Sequence, residues 1–273
     1  MADLIAGVRR DQERRGVLES SIERRESVLR LFQAWCAPKN LLKATRTDVE
    51  RFLDSRSLGA STRATYLSHL HAFYSWAMME DLTKDDPTAR IVRPKVRRRL
   101  PRPASSSELS AALAKATPVE AAWISLAALE GLRCKEIAEL RVEDVLMEDR
   151  LLRVVGKGDK ERLIPLHPDV ADALEDLPLP ARGFVFTRYA GNPWDPKRLS
   201  EALNAALKNL GVNSTAHQLR HWFGTNVYQS THDLRLTQEM LGHSSPATTA
   251  IYTAFDREDA TRAVSGLTLR TVK

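Results

Sequence analysis

The sequence predicts a mainly α-helical chain of two domains, the second carrying a small β-hairpin or sheet. Three observations predict it. Apolar residues recur at helical spacing through roughly the first ninety residues. A proline- and arginine-rich stretch, RIVRPKVRRRLPRPASSS (90–107), then interrupts the pattern. Further on, RLLRVVGKGDKERLIPL (150–166) alternates around glycines as two strands and a turn do. A chain of 273 residues is long enough for two modest cores.

The elements follow in order. SIERRESVLRLFQAWC places Ile22, Val28, Leu29, Phe32, Trp35 and Cys36 at helical spacing. In TDVERFL, Thr47 and Glu50 stand in capping-box register. STRATYLSHLHAFYSWAMME puts Tyr66, Leu70, Phe73, Tyr74 and Ala77 on one face, and Asp86-Pro87 can start a short fourth helix. Four helices make a compact bundle, assigned to 1–92. The stretch 93–104 reads as a basic linker, extended where proline forces it. The second domain, 105–273, opens on a capping box, SSSE, into ELSAALAKA. PVEAAWISLAALEGL is apolar enough to be a buried helix, with Gly131 placed to end it. From about 168 the chain is mostly helical, through PKRLSEALNAALKNLG, AHQLRHWFGTNVYQ and DLRLTQEMLGH. A tail follows from about 256, in which DREDATRAV can be a helix and LTLRTV alternates like a short strand.

Charge is uneven. Residues 1–103 hold 21 Lys/Arg against 13 Asp/Glu, a net of +8, whereas 104–273 hold 20 against 22, a net of −2. A basic module joined to a near-neutral one suggests a polyanionic partner, with nucleic acid first. No apolar run can span a bilayer and MADLIAGVRRDQERRG has no signal-peptide core, so no membrane role is expected and the location is expected to be intracellular, in the cytoplasm. The two cysteines, Cys36 and Cys134, are far apart and form no metal-ligand spacing, which argues against a disulfide framework and a zinc site.

Several polar residues interrupt the second domain. Arg133 follows Gly131 at a helix-to-helix turn, where a helix-capping role is the ordinary reading. Lys157 stands between two glycines at the hairpin tip, a place where lysines are normally solvated. His217 and Arg220 share one helical face, and His243 follows Gly242. In LGHSSPATTAIYTAF (241–255), Ser245 can cap a helix and Pro246 fits its first turn, while Tyr252, taken alone, has a half-buried core residue as its ordinary reading. Taken together these residues are what phosphoryl transfer requires. Two guanidiniums can grip the non-bridging oxygens of a phosphodiester in fork geometry. A lysine can protonate a leaving alkoxide, imidazoles can move a proton, and a tyrosine hydroxyl can attack phosphorus. Such a site needs no metal and no cofactor, and the sequence has no Walker A spacing.

The order of these motifs resembles the tyrosine recombinase, or phage integrase, family over essentially the whole chain. The matching segments are GLR at 131–133 with Glu136 following, GKGDKER at 156–162, HQLRH at 217–221, LGH at 241–243, and Tyr252. The resemblance implies an N-terminal four-helix core-binding domain and an α+β catalytic domain. It implies that Tyr252 is the nucleophile, Arg133 and Arg220 the phosphate clamp, Lys157 the general acid, and His217 and His243 the proton-handling pair. Glu136 and His221 would support them. The layout resembles a compact form, similar to the Xer type, without the small arm-binding domain that many phage integrases carry.

The implied activity is site-specific recombination of double-stranded DNA through a 3′-phosphotyrosine, serving the integration or excision of a phage or mobile element. The expected assembly is a homotetramer on two DNA sites, linked by the C-terminal tail, in a nucleoid-associated setting and open to an accessory directionality factor. Arg97, Arg98, Arg99 and Arg102 of the linker are candidates for phosphate contacts and Arg63 for a groove contact. The competing readings are Xer-like chromosome-dimer resolution, a type IB-like topoisomerase, a non-cleaving DNA-binding protein of the same fold, and a metal-dependent nuclease.

Overall fold

The computed structural model describes residues 2–95, 104–156, 161–189 and 191–242. The chain divides into two compact units, before and after the boundary at residues 99 and 100.

Four helices build the first unit: α1 (Ala2–Arg14), α2 (Glu19–Cys36), α3 (Arg46–Asp54) and α4 (Ala60–Met79). Their count is as expected, but their membership differs. The extra member is α1, which buries Ile5 and Val8, three apart on one face. The segment at Asp86-Pro87 forms turns instead of a helix. There the Asp86 carboxylate accepts the Thr88 backbone N–H at 2.7 Å, as a capping residue does, and lies 2.7 Å from His71 Nδ1, but the backbone closes only in i+3 turns, Ala89 N to Asp86 O and Ile91 N to Thr88 O. The capping box of α3 also shifts by two residues. Thr45 Oγ1 accepts from Asp48 N, and the Asp48 carboxylate accepts from Thr45 N at 2.7 Å. Asp48 is held there by Lys39 as well, at 2.6 Å. The core mixes aliphatic side chains with rings, and Phe52 links it to the surface: it lies 4.9 Å from buried Phe32, 5.9 Å from exposed Trp35 and 6.3 Å from half-buried Tyr66 between ring centroids. Buried Tyr74 satisfies its hydroxyl on the Leu41 carbonyl at 2.8 Å.

The second unit begins with α5 (Ser106–Leu113), capped by Ser105 and Glu108 as expected, and α6 (Pro118–Ala128), capped by Thr117 and Glu120 with Pro118 in its first turn. Every residue from Ala122 to Ala128 is buried, so α6 is surrounded by its neighbours. Next come α7 (Cys134–Ala138), then β1 (Val145–Leu146), β2 (Leu151–Val155) and β3 (Glu161–Pro165), an antiparallel sheet in sequence order. The β2–β3 hairpin is the expected one, with Leu152 opposite Ile164 and Val154 opposite Arg162. The two-residue β1 was not expected; it is too short to carry a period of its own. Among the described residues four more helices follow: α8 (Pro168–Glu175), α9 (Pro196–Asn209), α10 (Ala216–Thr231) and α11 (Leu234–Leu241). The core is a continuous apolar cluster of α5 to α10 and the sheet, including Ile124, Leu126, Ile137, Leu152, Ile164, Leu174, Leu203 and Leu219. Among the described residues no helix is long and apolar enough to cross a membrane.

Candidate functional site

The site is built from three chain reversals. After α6 the chain turns at Gly131, whose φ of +63° suits glycine. A Cβ there would also meet Phe223 Cδ1 of α10 at 2.4 Å, so the turn and the close approach of α10 require glycine independently. The reversal delivers Arg133 to the start of α7 and Glu136 to its third position. Thr215 and Gln218 cap α10, which carries His217, Arg220 and His221. Gly242, at φ +61°, ends α11 in the left-handed conformation common after helices.

These reversals converge on the Glu136 carboxylate. Its Oε1 accepts from Arg133 Nη1 at 2.7 Å and from Arg162 Nη1 at 3.0 Å. Its Oε2 accepts from the Arg133 backbone N–H at 2.8 Å and from Arg162 Nη2 at 3.1 Å. Arg220 Nη1 stands 3.6 Å from the same oxygen. The same three arginines hold the last carbonyls of α11. Arg162 Nε donates to Met240 O at 3.0 Å, Arg220 Nη2 to Leu241 O, and Arg133 Nη2 to Gly242 O at 3.1 Å. Helix C-termini leave such carbonyls without intrahelical partners and carry partial negative charge, so cations are favoured there. Arg220 Nη1 donates as well to the Gly131 carbonyl, tying the first reversal to the last.

Burial makes this arrangement electrostatically strong. The side chain of Glu136 is 4% exposed and that of Arg220 3%, whereas Arg133 is 40% exposed. Burial alone would raise the Glu136 pKa; the Arg162 hydrogen bonds and the Arg162 and Arg220 charges overcome it and hold the carboxyl below its ordinary range. One carboxylate against three guanidiniums leaves an excess of positive charge, the condition for receiving an anion. The His217 and His221 rings meet edge-on, 4.4 Å between centroids. Burial lowers the His217 pKa, helped by Arg220 and Arg133. Burial, with His217 and Arg220, pushes His221 down to about 4. Both shifts favour the neutral form of the imidazole.

The structure thus brings together Arg133, Glu136, His217, Arg220 and His221. Lys157, His243, Tyr252, the tail from about 256, and linker residues Arg97, Arg98, Arg99 and Arg102 lie outside the described residues. Arg63 belongs to the first unit and pairs with Asp54 at 2.6 Å. Sequence reading assigned no role to Arg162, although it ends the GKGDKER segment. The signal that could have found it is strand parity: Arg162 shares a face with buried Ile164, and a cation on the core face of a strand requires a partner. Among the described residues no group of three or more His, Cys, Asp or Glu side chains is arranged to hold a metal.

Comparison with known proteins agrees in both units. Residues 103–259 match the phage integrase family and residues 12–81 the N-terminal SAM-like domain of phage integrases. The tyrosine recombinase XerC of Pseudomonas fluorescens is 32% identical over 241 residues, 81% of each chain. The integrase of mycobacterium phage Brujita is similar in structure at 31% identity and a TM-score of 0.51, covering 95% of this chain and 90% of that one. The lambda integrase tetramer bound to a Holliday junction shares the fold, with a TM-score of 0.73 over 94% of this chain and 79% of that one at 18% identity. With family models matching both the second unit and the N-terminal module, and a relative 32% identical over 81% of each chain, this chain belongs to the phage integrases, the tyrosine recombinases.

Proposed function

We propose that this protein cleaves and rejoins double-stranded DNA at a specific site through a 3′-phosphotyrosine on Tyr252. The observation that carries the reading is the buried, positively charged cage in which Arg133 and Arg220 share one carboxylate. In this reading the two guanidiniums bind the non-bridging oxygens of the scissile phosphate and stabilise the charge that grows there. The Tyr252 oxygen attacks phosphorus, its proton passes to the imidazole of His217 or His243, and the bond to the 5′ oxygen breaks. Lys157 supplies the proton that the departing 5′ oxygen takes up. A 5′ hydroxyl from a partner strand then attacks the phosphotyrosine and releases Tyr252, so the bond energy is conserved and no nucleotide is consumed. Glu136 orients the arginines, and His221 packs against His217.

DNA is the partner in this reading, contacted by the N-terminal unit, by Arg63 and by the linker arginines. Four protomers on two sites, joined by the C-terminal tail, complete the reaction; the tetrameric lambda integrase complex supports that assembly. Integration or excision of a mobile element is the first biological role, supported by likeness to a phage integrase. Relatives named XerC and XerD favour chromosome-dimer resolution as the second.

The test is trapping in EDTA. Nicked duplexes tiled from DNA flanking the gene are mixed with wild-type protein and with Tyr252→Phe, then run on denaturing gels. A DNA-linked band from the wild type alone supports the proposal and maps the site. Equal bands from both proteins, or cleavage that EDTA abolishes, would overturn it.

A further inference from the structure

We propose that Arg162 is a positioning residue for strand cleavage, a bolt that fixes the end of α11 and Glu136 to the β2–β3 hairpin. The inference rests on the cleavage reading for its kinetic test. Arg162 stands on β3, five residues after Lys157. Its guanidinium spends both Nη atoms on the two oxygens of Glu136, at 3.0 and 3.1 Å, and its Nε on the Met240 carbonyl, at 3.0 Å. The side chain is 13% exposed, so these bonds are made largely out of water. Three structural pieces meet in this one group: the strand leaving the hairpin, α7 with the carboxylate that orients Arg133 and Arg220, and the last turn of α11, ten residues or so before Tyr252.

The closeness of Gly242 fits the same role. A Cβ at that position would lie 2.8 Å from Arg162 Nη1 and 3.1 Å from its Cζ. The helix end is therefore seated directly on the guanidinium, and its left-handed φ of +61° lets the chain leave without a side chain in the way. Arg133 and Arg220 are assigned to the phosphate. Arg162 has every Nε and Nη position engaged on protein, so it can hold the frame while the other two exchange partners.

Lysine cannot replace it. An ammonium keeps the charge but cannot span two carboxylate oxygens and a carbonyl in one plane. Arg162→Lys and Arg162→Ala are compared with the wild type in single-turnover adduct formation at saturating nicked DNA, alongside DNA affinity. Amide hydrogen exchange of residues 239–242 is measured on the free proteins. The expected result is a cleavage rate down by about tenfold or more for alanine and at least about fivefold for lysine, with affinity within about threefold. The last turn of α11 should exchange faster in both variants. Gly242→Ala should slow cleavage as well, and combined with Arg162→Ala should cost less than the product of the single effects, because the clash disappears with the guanidinium. Wild-type cleavage rates in Arg162→Lys, a defect confined to DNA affinity, or unchanged exchange at 239–242 would overturn the assignment. If the wild type itself forms no adduct, the cleavage reading has failed, and the exchange measurement alone decides whether Arg162 holds the helix end.

Discussion

Arg9 in the first unit and Glu136 in the second are mirror images in composition and opposites in setting. Arg9 reaches three acids, Glu13 at 2.7 Å, Glu26 at 3.3 Å and Glu19, from a side chain that is 32% exposed. Glu136 reaches three arginines from a side chain that is 4% exposed. The first cluster sits on a bundle whose stability comes from buried rings such as Phe32, Phe52 and Phe73, and water screens its charges. The second is enclosed, so each of its bonds is electrostatically strong and each missing partner is costly. The same ion-pair chemistry is therefore decoration in one unit and a specification of geometry in the other.

That contrast can be broken most sharply at Arg220. Arg220→Ala removes one of the two guanidiniums proposed to hold the phosphate and the tie between Gly131 and Leu241, and adduct formation should fall by about 10²–10³ or more at saturating DNA. Single-turnover rates check it. Next in size is Glu136→Ala, which leaves three guanidiniums facing one another. Urea unfolding should show a loss of about 3–5 kcal/mol, and Glu136→Gln should lose less because it keeps acceptor and shape.

A third prediction sharpens the contrast through pH. Burial holds the Glu130 carboxyl up at about 7, against the opposing hydrogen bond from the His167 backbone N–H. Between about 4.5 and 7 the folded chain then binds the extra proton, so this group makes stability fall as pH rises. His221, held near 4, acts oppositely: between about 4 and 6.5 the unfolded chain binds the extra proton, and stability falls as pH falls. The two contributions offset each other where the windows overlap. Glu130→Gln should tilt the stability curve upward with pH there, and His221→Gln downward. Above pH 7, Glu130→Gln should also be the more stable form, by on the order of 2 kcal/mol, since glutamine still accepts from His167. Denaturant midpoints from pH 4.5 to 8 read both effects; parallel curves for both variants would show that neither group is perturbed. The smallest effect belongs to Arg9→Ala, whose Tm should lie close to that of the wild type and differ least in high salt.

The same difference between the units explains what was legible in the sequence. Helices with a buried apolar stripe were readable from periodicity, and α2, α4, α9 and α10 lie where it places them, while α6, buried all round, was readable from its continuous apolar run. The β2–β3 hairpin was readable from alternation around its glycines. Local competition was not. Asp86 caps a segment that closes only in i+3 turns where a helix was expected, and Lys39 joins Asp48 in fixing the α3 cap two residues early. At the candidate site, motif order singles out Arg133, Glu136, His217, Arg220 and His221, and the structure gathers them. What order could not convey is that Glu136 is the common acceptor, or that Arg162 is the third arginine on it. Those contacts join residues 26 and 78 positions apart, a separation at which no local pattern survives.

The central claim is that one tyrosine becomes joined to DNA. Digesting the trapped adduct with trypsin and nuclease, then locating the nucleotide-bearing peptide by mass spectrometry, tests it most directly. The account predicts that the modified peptide spans 236–257, in which Tyr252 is the only tyrosine. A nucleotide on any other peptide, such as the one carrying exposed Tyr189, would contradict it.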